Sequence, residues 1–390
     1  MTTELPLRYG LNPHQQPARA LLAGDGSPIV VRNGAPGYIN LLDALSSWQL
    51  VRALRVALDT PAAASFKHVS PAGAAIASPL SARLARAYEV GDGELSPVAT
   101  AYVRARGGDL VSSYGDVAAV SERVDLSLAN VLRREVSDCI VAPGFDDDAL
   151  EVLRAKKGGN YLVIEADPDF VPPPMERREL FGVTLEQPAD NEPVTLDVLN
   201  EVVTTRKEFS VEARRDLLVA TIALRYTQSN SVCVAAEGQV IGLGAGQQSR
   251  IHCSRNACGK ADRWMLQQHP RVLDLPLKSE LRRPDRFTAR EQFIAHAELS
   301  AAERTYLARQ FDGDVEPLSE EERRDWIAGF TTSLSHDAFI PFRDNIDRAQ
   351  ASAVRYVLQP GGSIADEGVI AAANEYGMTM AFSGLRLFRH

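Results

Sequence analysis

The sequence predicts a layered α/β fold arranged as two halves. Short apolar runs of strand length alternate with segments whose apolar residues recur at helical spacing, the pattern of a sheet covered by helices. The chain of 390 residues, 45% apolar and 24% charged, has the length for two units and the composition of an ordinary globular protein with a sizeable core. A third observation places the boundary. Residues 167–174 are rich in Asp and Pro and read as a linker, so the halves are taken as 1–170 and 171–390.

Residues 1–20 lack a strong period and are expected to be loop, leaving Arg8 and His14 free to line a pocket. Apolar groups at helical spacing predict a helix over 41–58, capped by Asn40. Residues 62–66 predict a short buried strand, 79–90 a helix, 117–120 a strand and 126–134 a helix. Residues 139–142 read as a strand ending at Pro143-Gly144, 147–157 as a helix and 161–164 as a strand. Beyond the linker, 196–203 and 211–226 read as helices. Residues 232–236 and 239–244 are strand-like around Glu237-Gly238, a hairpin signal. Residues 286–330 are highly charged at helical spacing, the mark of a helical insertion. Residues 346–358, 365–376 and 378–383 read as helix, helix and strand, and no internal sequence repeat is evident.

Charge and cysteine usage narrow the function classes. A net charge of -9 argues against general binding to nucleic acid or an anionic membrane, while leaving room for a local basic pocket. No apolar run has the length of a membrane span, and the start Met1-Thr2-Thr3-Glu4 has no signal-peptide pattern. The four cysteines, Cys139, Cys233, Cys253 and Cys258, show no disulfide framework, so reduced thiols in a cytoplasm are expected.

The most informative segment is Ser65-Phe66-Lys67-His68-Val69-Ser70-Pro71-Ala72-Gly73. Two adjacent cations repel, which eases proton loss near neutral pH and suits acid–base work. A Lys-His dipeptide by itself is usually a solvated surface pair. Here it follows the small-apolar run Ala62-Ala63-Ala64 and precedes a Pro-Ala-Gly turn, at the end of an expected buried strand.

These flanks resemble the Lys-His motif of the AICAR transformylase family, which formylates aminoimidazole carboxamide ribonucleotide. The likeness continues in family order. Leu7-Arg8-Tyr9-Gly10-Leu11-Asn12-Pro13-His14-Gln15, Asn33-Gly34-Ala35-Pro36-Gly37-Tyr38-Ile39-Asn40 and Tyr226-Thr227-Gln228-Ser229-Asn230-Ser231-Val232-Cys233 each resemble a family segment. So do Gly244-Ala245-Gly246-Gln247-Gln248-Ser249-Arg250-Ile251-His252-Cys253, Pro341-Phe342-Arg343-Asp344-Asn345 and Leu385-Arg386-Leu387-Phe388. The resemblance implies two cytidine-deaminase-like three-layer α/β/α units with a helical insertion and no zinc. It implies transfer of a formyl group from 10-formyltetrahydrofolate to the 5-amino group of AICAR, and a homodimer whose sites lie at the subunit interface. A structural monovalent cation is a further expectation. The likeness is to the transformylase half of the bifunctional enzyme, so ring closure is expected to fall to another protein.

The resemblance also distributes roles. His68 matches the residue that accepts the amine proton, and Lys67 the one that stabilises the oxyanion and helps protonate the leaving group. Asn230, in a polar run before a strand, matches an amide beside the transfer centre. Arg8 and Arg386 are the phosphate candidates, because guanidinium is a permanent fork for phosphate oxygens. Tyr9, Gly115, Asp138 and Arg250 match nucleotide-contacting positions. Phe339 and Pro341 match residues packed on the folate, Phe339 also reaching the nucleotide, with Asp344 near the pterin.

Two metal-like patterns fail on chemistry. His296-Ala297-Glu298 copies the His-x-Glu of zinc deaminases, yet every cysteine precedes it and Pro-Cys-x-x-Cys is absent. His252-Cys253 with Cys258 has no fourth ligand at plausible spacing. Gly244-Ala245-Gly246 lacks the third glycine of a dinucleotide fingerprint.

Several positions depart from the family pattern. Asn256-Ala257-Cys258-Gly259 replaces Leu-Ala-Gly-Asp, His336 replaces a Ser, Ile340 replaces a Phe, and Arg389 replaces a His. They leave Lys67, His68 and Asn230 in place but open the identity of the nucleotide. The reading is therefore an AICAR formyltransferase. The alternatives are a formyltransferase acting on an AICAR-like nucleotide in a specialised nucleoside pathway, and a catalytically silent nucleotide- or folate-binding protein.

Overall fold

The computed structural model describes residues 3–22, 27–91 and 93–390. Its strands, in chain order, are β1 (Thr3–Leu7), β2 (Ala18–Leu22), β3 (Ile29–Asn33), β4 (Ala62–Lys67), β5 (Ser70–Ile76), β6 (Asp116–Val120), β7 (Ser137–Ala142) and β8 (Leu162–Ala166), followed by β9 (Met175–Leu180), β10 (Val183–Pro188), β11 (Glu201–Val202), β12 (Val232–Ala236), β13 (Gln239–Gly244), β14 (Thr332–His336), β15 (Val354–Gln359) and β16 (Thr379–Phe382). β1 pairs with β2 and β9 with β10 as separate two-stranded ribbons. The remaining twelve form one sheet in the order β11-β16-β15-β14-β12-β13-β5-β4-β6-β7-β8-β3.

The two halves of this sheet repeat one pattern outward from the β5–β13 join. Each begins with an antiparallel hairpin, β5 with β4 and β13 with β12. Each continues through an antiparallel pair, two parallel pairs and a closing antiparallel pair. The sequence reading saw no such repeat.

Strand residues alternate between two buried faces, which makes three layers. Ala63, Ala75, Ala118, Val120, Ile140 and Ala142 join the core on one face. Ala62, Ala64, Phe66, Ala74, Val117, Ala119 and Cys139 join the core on the other, beneath the helices Tyr38–Leu58 and Val211–Arg225. Burial on both faces explains why these strands read as continuous apolar runs. The small residues have a packing reason. A Cβ at Gly73 of β5 would lie 2.0 Å from the Ala105 carbonyl oxygen in the helix Pro97–Gly107. A Cβ at Gly242 of β13 would lie 2.1 Å from the Ala257 carbonyl oxygen in the helix Arg250–Leu266. Both are the fourth residue of their strand, and each lets the helix named press against the sheet.

Several expected elements are corrected. The stretch 1–20 holds β1 and, from Ala18, β2, because Leu5, Leu7, Ala20 and Leu22 alternate onto the core; Met1 and Thr2 lie outside the described residues. Asn40 is inside its helix, which starts at Tyr38, and its Oδ1 accepts the Gly37 amide at 3.0 Å. The helix expected over 79–90 is confined to Ala82–Ala87. Residues 196–203 form a 3-10 turn, Leu196–Leu199, and then β11. Residues 346–358 split into the helix Asp344–Ala351 and β15. The helices Pro97–Gly107 and Arg250–Leu266 and the exposed ribbon β9–β10 went unread. The insertion is helical, with Arg283–Ile294, Ala301–Ala308 and Glu320–Ala328.

Gly73→Ala and Gly242→Ala are each expected to lower unfolding stability by about 1–3 kcal/mol, the usual cost of overpacking. Urea unfolding checks this as a lower midpoint at unchanged slope; parental midpoints would mean the helices can retreat freely.

Candidate active site

Lys67 ends β4, and the chain turns through His68 and Val69 into β5. Both turn residues are left-handed, with φ of 55° and 59°. Such a conformation is unusual for a β-branched residue and persists only where the surroundings impose it. Here the Val69 amide donates to Asp43 Oδ1 at 2.6 Å. Asp43 belongs to the helix Tyr38–Leu58 and is only 4% exposed. Burial pushes its carboxyl above the usual carboxylate range, opposed by the Val69 hydrogen bond. Lys67 Nζ donates to the Tyr114 carbonyl at 2.6 Å, which leaves donor capacity for a ligand.

The Lys67–His68 tip lines a cleft of about 700 Å³. Gly244 and Ala245 face it because β5 and β13 are antiparallel neighbours, so the start of one lies beside the end of the other. Arg255, Asn256, Gly259, Lys260 and Arg263 of the helix Arg250–Leu266 form a further wall. Lys260 pairs with Asp109 at 3.0 Å, and Arg263 pairs with Glu291 and Glu298 at 3.1 and 2.9 Å.

A buried polar network holds the segment that fixes Lys67. Arg106 donates to the Ser113 carbonyl at 2.6 Å and pairs with Asp116 at 3.1 Å and Glu135 at 3.0 Å. Asp116 also accepts from Ser65 Oγ at 2.7 Å and from Tyr102 Oη at 3.1 Å. Burial pushes the Asp116 carboxyl up, against the opposing pull of Arg106. Residues 113–115, carrying the Tyr114 carbonyl and Gly115, are thus tied to the core of the first half.

The expected site residues fall into two groups on one rim of the sheet. In the first, Gly115 follows Tyr114, whose carbonyl holds Lys67, and a Cβ at Gly115 would lie 3.9 Å from Asp138 Oδ2. Arg8 Nη2 donates to Asn40 at 3.2 Å, three residues before Asp43 on the same helix, and its guanidinium lies 5.8 Å from the Tyr9 ring centroid. Asp138 pairs with Lys157. The second group centres on Arg250, which pairs with the fully buried Asp337 and donates to Asn230 Oδ1 at 2.7 Å. The Asn230 amide donates to the Gln247 carbonyl at 2.9 Å. Phe339, 46% exposed, with Pro341 and Asp344 follows Asp337. Arg386 is exposed and stacks 4.9 Å from Phe388, while the Leu387 amide is anchored on the Asp337 carbonyl at 2.8 Å. Lys67 and Asn230 are three strand positions apart, roughly 14 Å at ordinary strand spacing.

The family departures are dispersed. Asn256 and Gly259 line the cleft, whereas Cys258 and Ile340 are core. His336 is buried with both ring nitrogens lacking a partner among the described residues, and burial with the nearby Arg250 pushes its pKa well below the usual value. Arg389 donates to Ser46 at 3.0 Å, so the C-terminal segment and Arg8 both reach the N-terminal half of the helix Tyr38–Leu58. His296 and Glu298 form a 3-10 turn. Among the described residues no group of three or more His, Cys, Asp or Glu is placed to hold a metal.

Sequence reasoning missed Asp43, Tyr114, Arg106, Lys157 and Asp337. Only Asp43 carried a usable signal, an acid among the apolar residues of a helical stripe. Tyr114 acts through its backbone, and Arg106 sits in a helix that was not foreseen.

A profile of the AICARFT/IMPCHase bienzyme family matches residues 1–260. The chain is 30% identical to the bifunctional purine biosynthesis protein PurH of Magnetococcus marinus, over 98% of this chain and 59% of that protein. It is 29% identical to PurH of Xylella fastidiosa, over 98% of this chain and 58% of that protein. It thus spans somewhat under two thirds of the length of these relatives. With the profile match extending over more than half its residues, the chain belongs to the AICARFT/IMPCHase bienzyme family.

Proposed function

We propose that this chain transfers a formyl group from 10-formyltetrahydrofolate to the 5-amino group of AICAR, a step of purine biosynthesis. The observation that carries the reading is the Lys67–His68 tip, held rigidly at the mouth of a large cleft in a chain of this family. The amine is a poor nucleophile, because its lone pair is delocalised toward the carboxamide. His68 takes its proton as the nitrogen bonds to the formyl carbon. Lys67 stabilises the oxyanion and delivers a proton to the folate nitrogen as the carbon–nitrogen bond to it breaks. Arg8 and Arg386 hold the phosphate, with Tyr9, Gly115, Asp138, Arg250 and Phe339 around the nucleotide. Phe339, Pro341 and Asp344 hold the folate.

Residues 1–170 and 171–390 are read as duplicated cytidine-deaminase-like units, supported by the repeated strand pairing. A homodimer with shared sites is part of the proposal. Transfer chemistry needs groups within about 3–3.5 Å of the reacting atoms, and the separation of Asn230 from Lys67 within one chain favours a partner's second group completing each site. A monovalent cation is also included. It comes from the family resemblance; the buried Ser231 Oγ, without a partner among the described residues, is a neutral oxygen that could join such a site. Cytoplasmic location is supported by four cysteines that are all free and buried; no described helix is long and apolar enough to cross a membrane.

One observation favours a second reading. Asn256 and Gly259, two of the family departures, line the same cleft as Lys67 and His68. Changed residues in the wall of the cleft support an AICAR-like nucleotide with a different base or sugar substituent as the acceptor.

His68→Ala is expected to lower kcat by at least about 100-fold, the lower range for losing a general base, with folding and nucleotide affinity retained. Steady-state kinetics with isothermal titration tests this; turnover within a few-fold of the parent removes His68 as the base. Lys67→Arg is expected to be severely impaired despite its charge, since Arg does not release a proton near neutral pH; near-normal turnover would mean that a fixed charge suffices. Mixing Lys67→Ala with Asn230→Ala subunits is expected to recover activity that neither has alone. A fully active monomer in sedimentation at assay concentration would remove the shared site.

A further inference from the structure

The two hairpin tips of the central sheet are built alike, and the comparison isolates one residue. β4 turns into β5 through His68 and Val69, and β12 turns into β13 through Glu237 and Gly238. All four residues are left-handed, with φ of 55°, 59°, 54° and 77°. At each tip a buried carboxylate from the preceding helix accepts from the turn's backbone, two amides at the second and one at the first. Asp216 accepts the Glu237 amide at 3.0 Å and the Gly238 amide at 2.6 Å. Asp43 accepts the Val69 amide at 2.6 Å. Each acid is the sixth residue of its helix, Tyr38–Leu58 or Val211–Arg225.

The tips differ in one respect that matters. The second has glycine where the first has Val69, and glycine adopts positive φ without steric cost. A β-branched residue does not, so the first tip depends on its clamp far more than the second. The tips also point to opposite ends of the sheet, because the start of β13 lies beside the end of β5. Only the Asp43 clamp therefore sits under the cleft.

We propose that Asp43 is a positioning residue for formyl transfer: its carboxylate holds the His68–Val69 turn left-handed and so keeps the His68 side chain at the cleft beside Lys67. The proposal rests on the role given above to His68. Asp216 is the same device without a reacting neighbour, which makes it an internal control.

The test compares Asp43→Ala, Asp43→Asn and Asp216→Ala, with Val69→Gly added to Asp43→Ala. Asp43→Ala is expected to lower kcat by about 10- to 100-fold, the scale of a small misplacement of a reacting group, while KM for AICAR moves only a few-fold. Asp43→Asn, which keeps one acceptor, falls between. Val69→Gly, which removes the strain that the clamp opposes, recovers several-fold of the loss. Asp216→Ala keeps parental kcat but unfolds at lower urea. Parental kcat in Asp43→Ala overturns the proposal, as does a loss in a folded variant that Val69→Gly leaves untouched. Amide hydrogen exchange separates this from failure of the proposed function. If the parent transfers no formyl group, the functional reading fails, yet Asp43→Ala is still expected to deprotect the Val69 amide and spare Gly238. Val69 protection unchanged in that variant overturns the clamp itself.

Discussion

The pairing of β5 with β13 is the contact on which the rest of the molecule depends. It fuses two halves of the same design into one sheet, through Ala75 opposite Gln239 and the Ile76 amide donating to Gly238 at 3.0 Å. It also sets the Lys67–His68 tip against Gly244 and Ala245, which creates the cleft. Side chains brace the join from within. Gln239 Nε2 donates to Tyr88 Oη at 2.8 Å, Trp264 Nε1 donates to the same oxygen at 2.7 Å, and Arg104 donates to the Glu237 carbonyl at 2.7 Å. Burial pushes the Tyr88 hydroxyl up to about 12, so it stays neutral and remains a donor as well as an acceptor. Buried hydrogen bonds of this kind specify one arrangement, and here that arrangement is the junction.

The cleft is rigid on one side for a related reason. Lys67 is held by a backbone carbonyl, that carbonyl follows Ser113, and Ser113 is held by Arg106 in the core of the first half. A long flexible amine thereby acquires a defined position on a backbone carbonyl, and among the described residues no carboxylate pairs with it. The second group, around Arg250 and Asp337, is equally fixed but belongs to the other half of the sheet. The repeated strand pattern thus sets two polar clusters on one rim, with different chemistry in each.

Much of the fold was legible because both faces of the sheet are buried: runs such as Ala62-Ala63-Ala64 and Cys139-Ile140-Val141-Ala142 announce strands without ambiguity. The helices Pro97–Gly107 and Arg250–Leu266 were not legible. Arg104, Arg106 and Arg250 are buried in ion pairs or on carbonyls, so the polar residues that should have marked a solvent face mark the interior. The repeat was hidden because it is kept at few positions. Asp43 and Asp216, or Gly73 and Gly242, are matched by what the backbone requires, and their neighbours are free to differ. The site was legible in its motif residues and illegible in its supports, since Tyr114 contributes a carbonyl that has no sequence signature.

The central claim is that the cleft at the β5–β13 junction performs formyl transfer to an aminoimidazole carboxamide nucleotide. Its most direct measurement is a single-turnover reaction of the purified chain with 10-formyltetrahydrofolate and AICAR, run beside related carboxamide ribonucleotides, with nucleotide and folate products resolved by chromatography. The account predicts enzyme-dependent formation of the formylated, open-ring nucleotide in equal amount to tetrahydrofolate released, with AICAR or a close carboxamide analogue as the preferred acceptor. Tight binding of folate and nucleotide with no formyl transfer to any of them would contradict it.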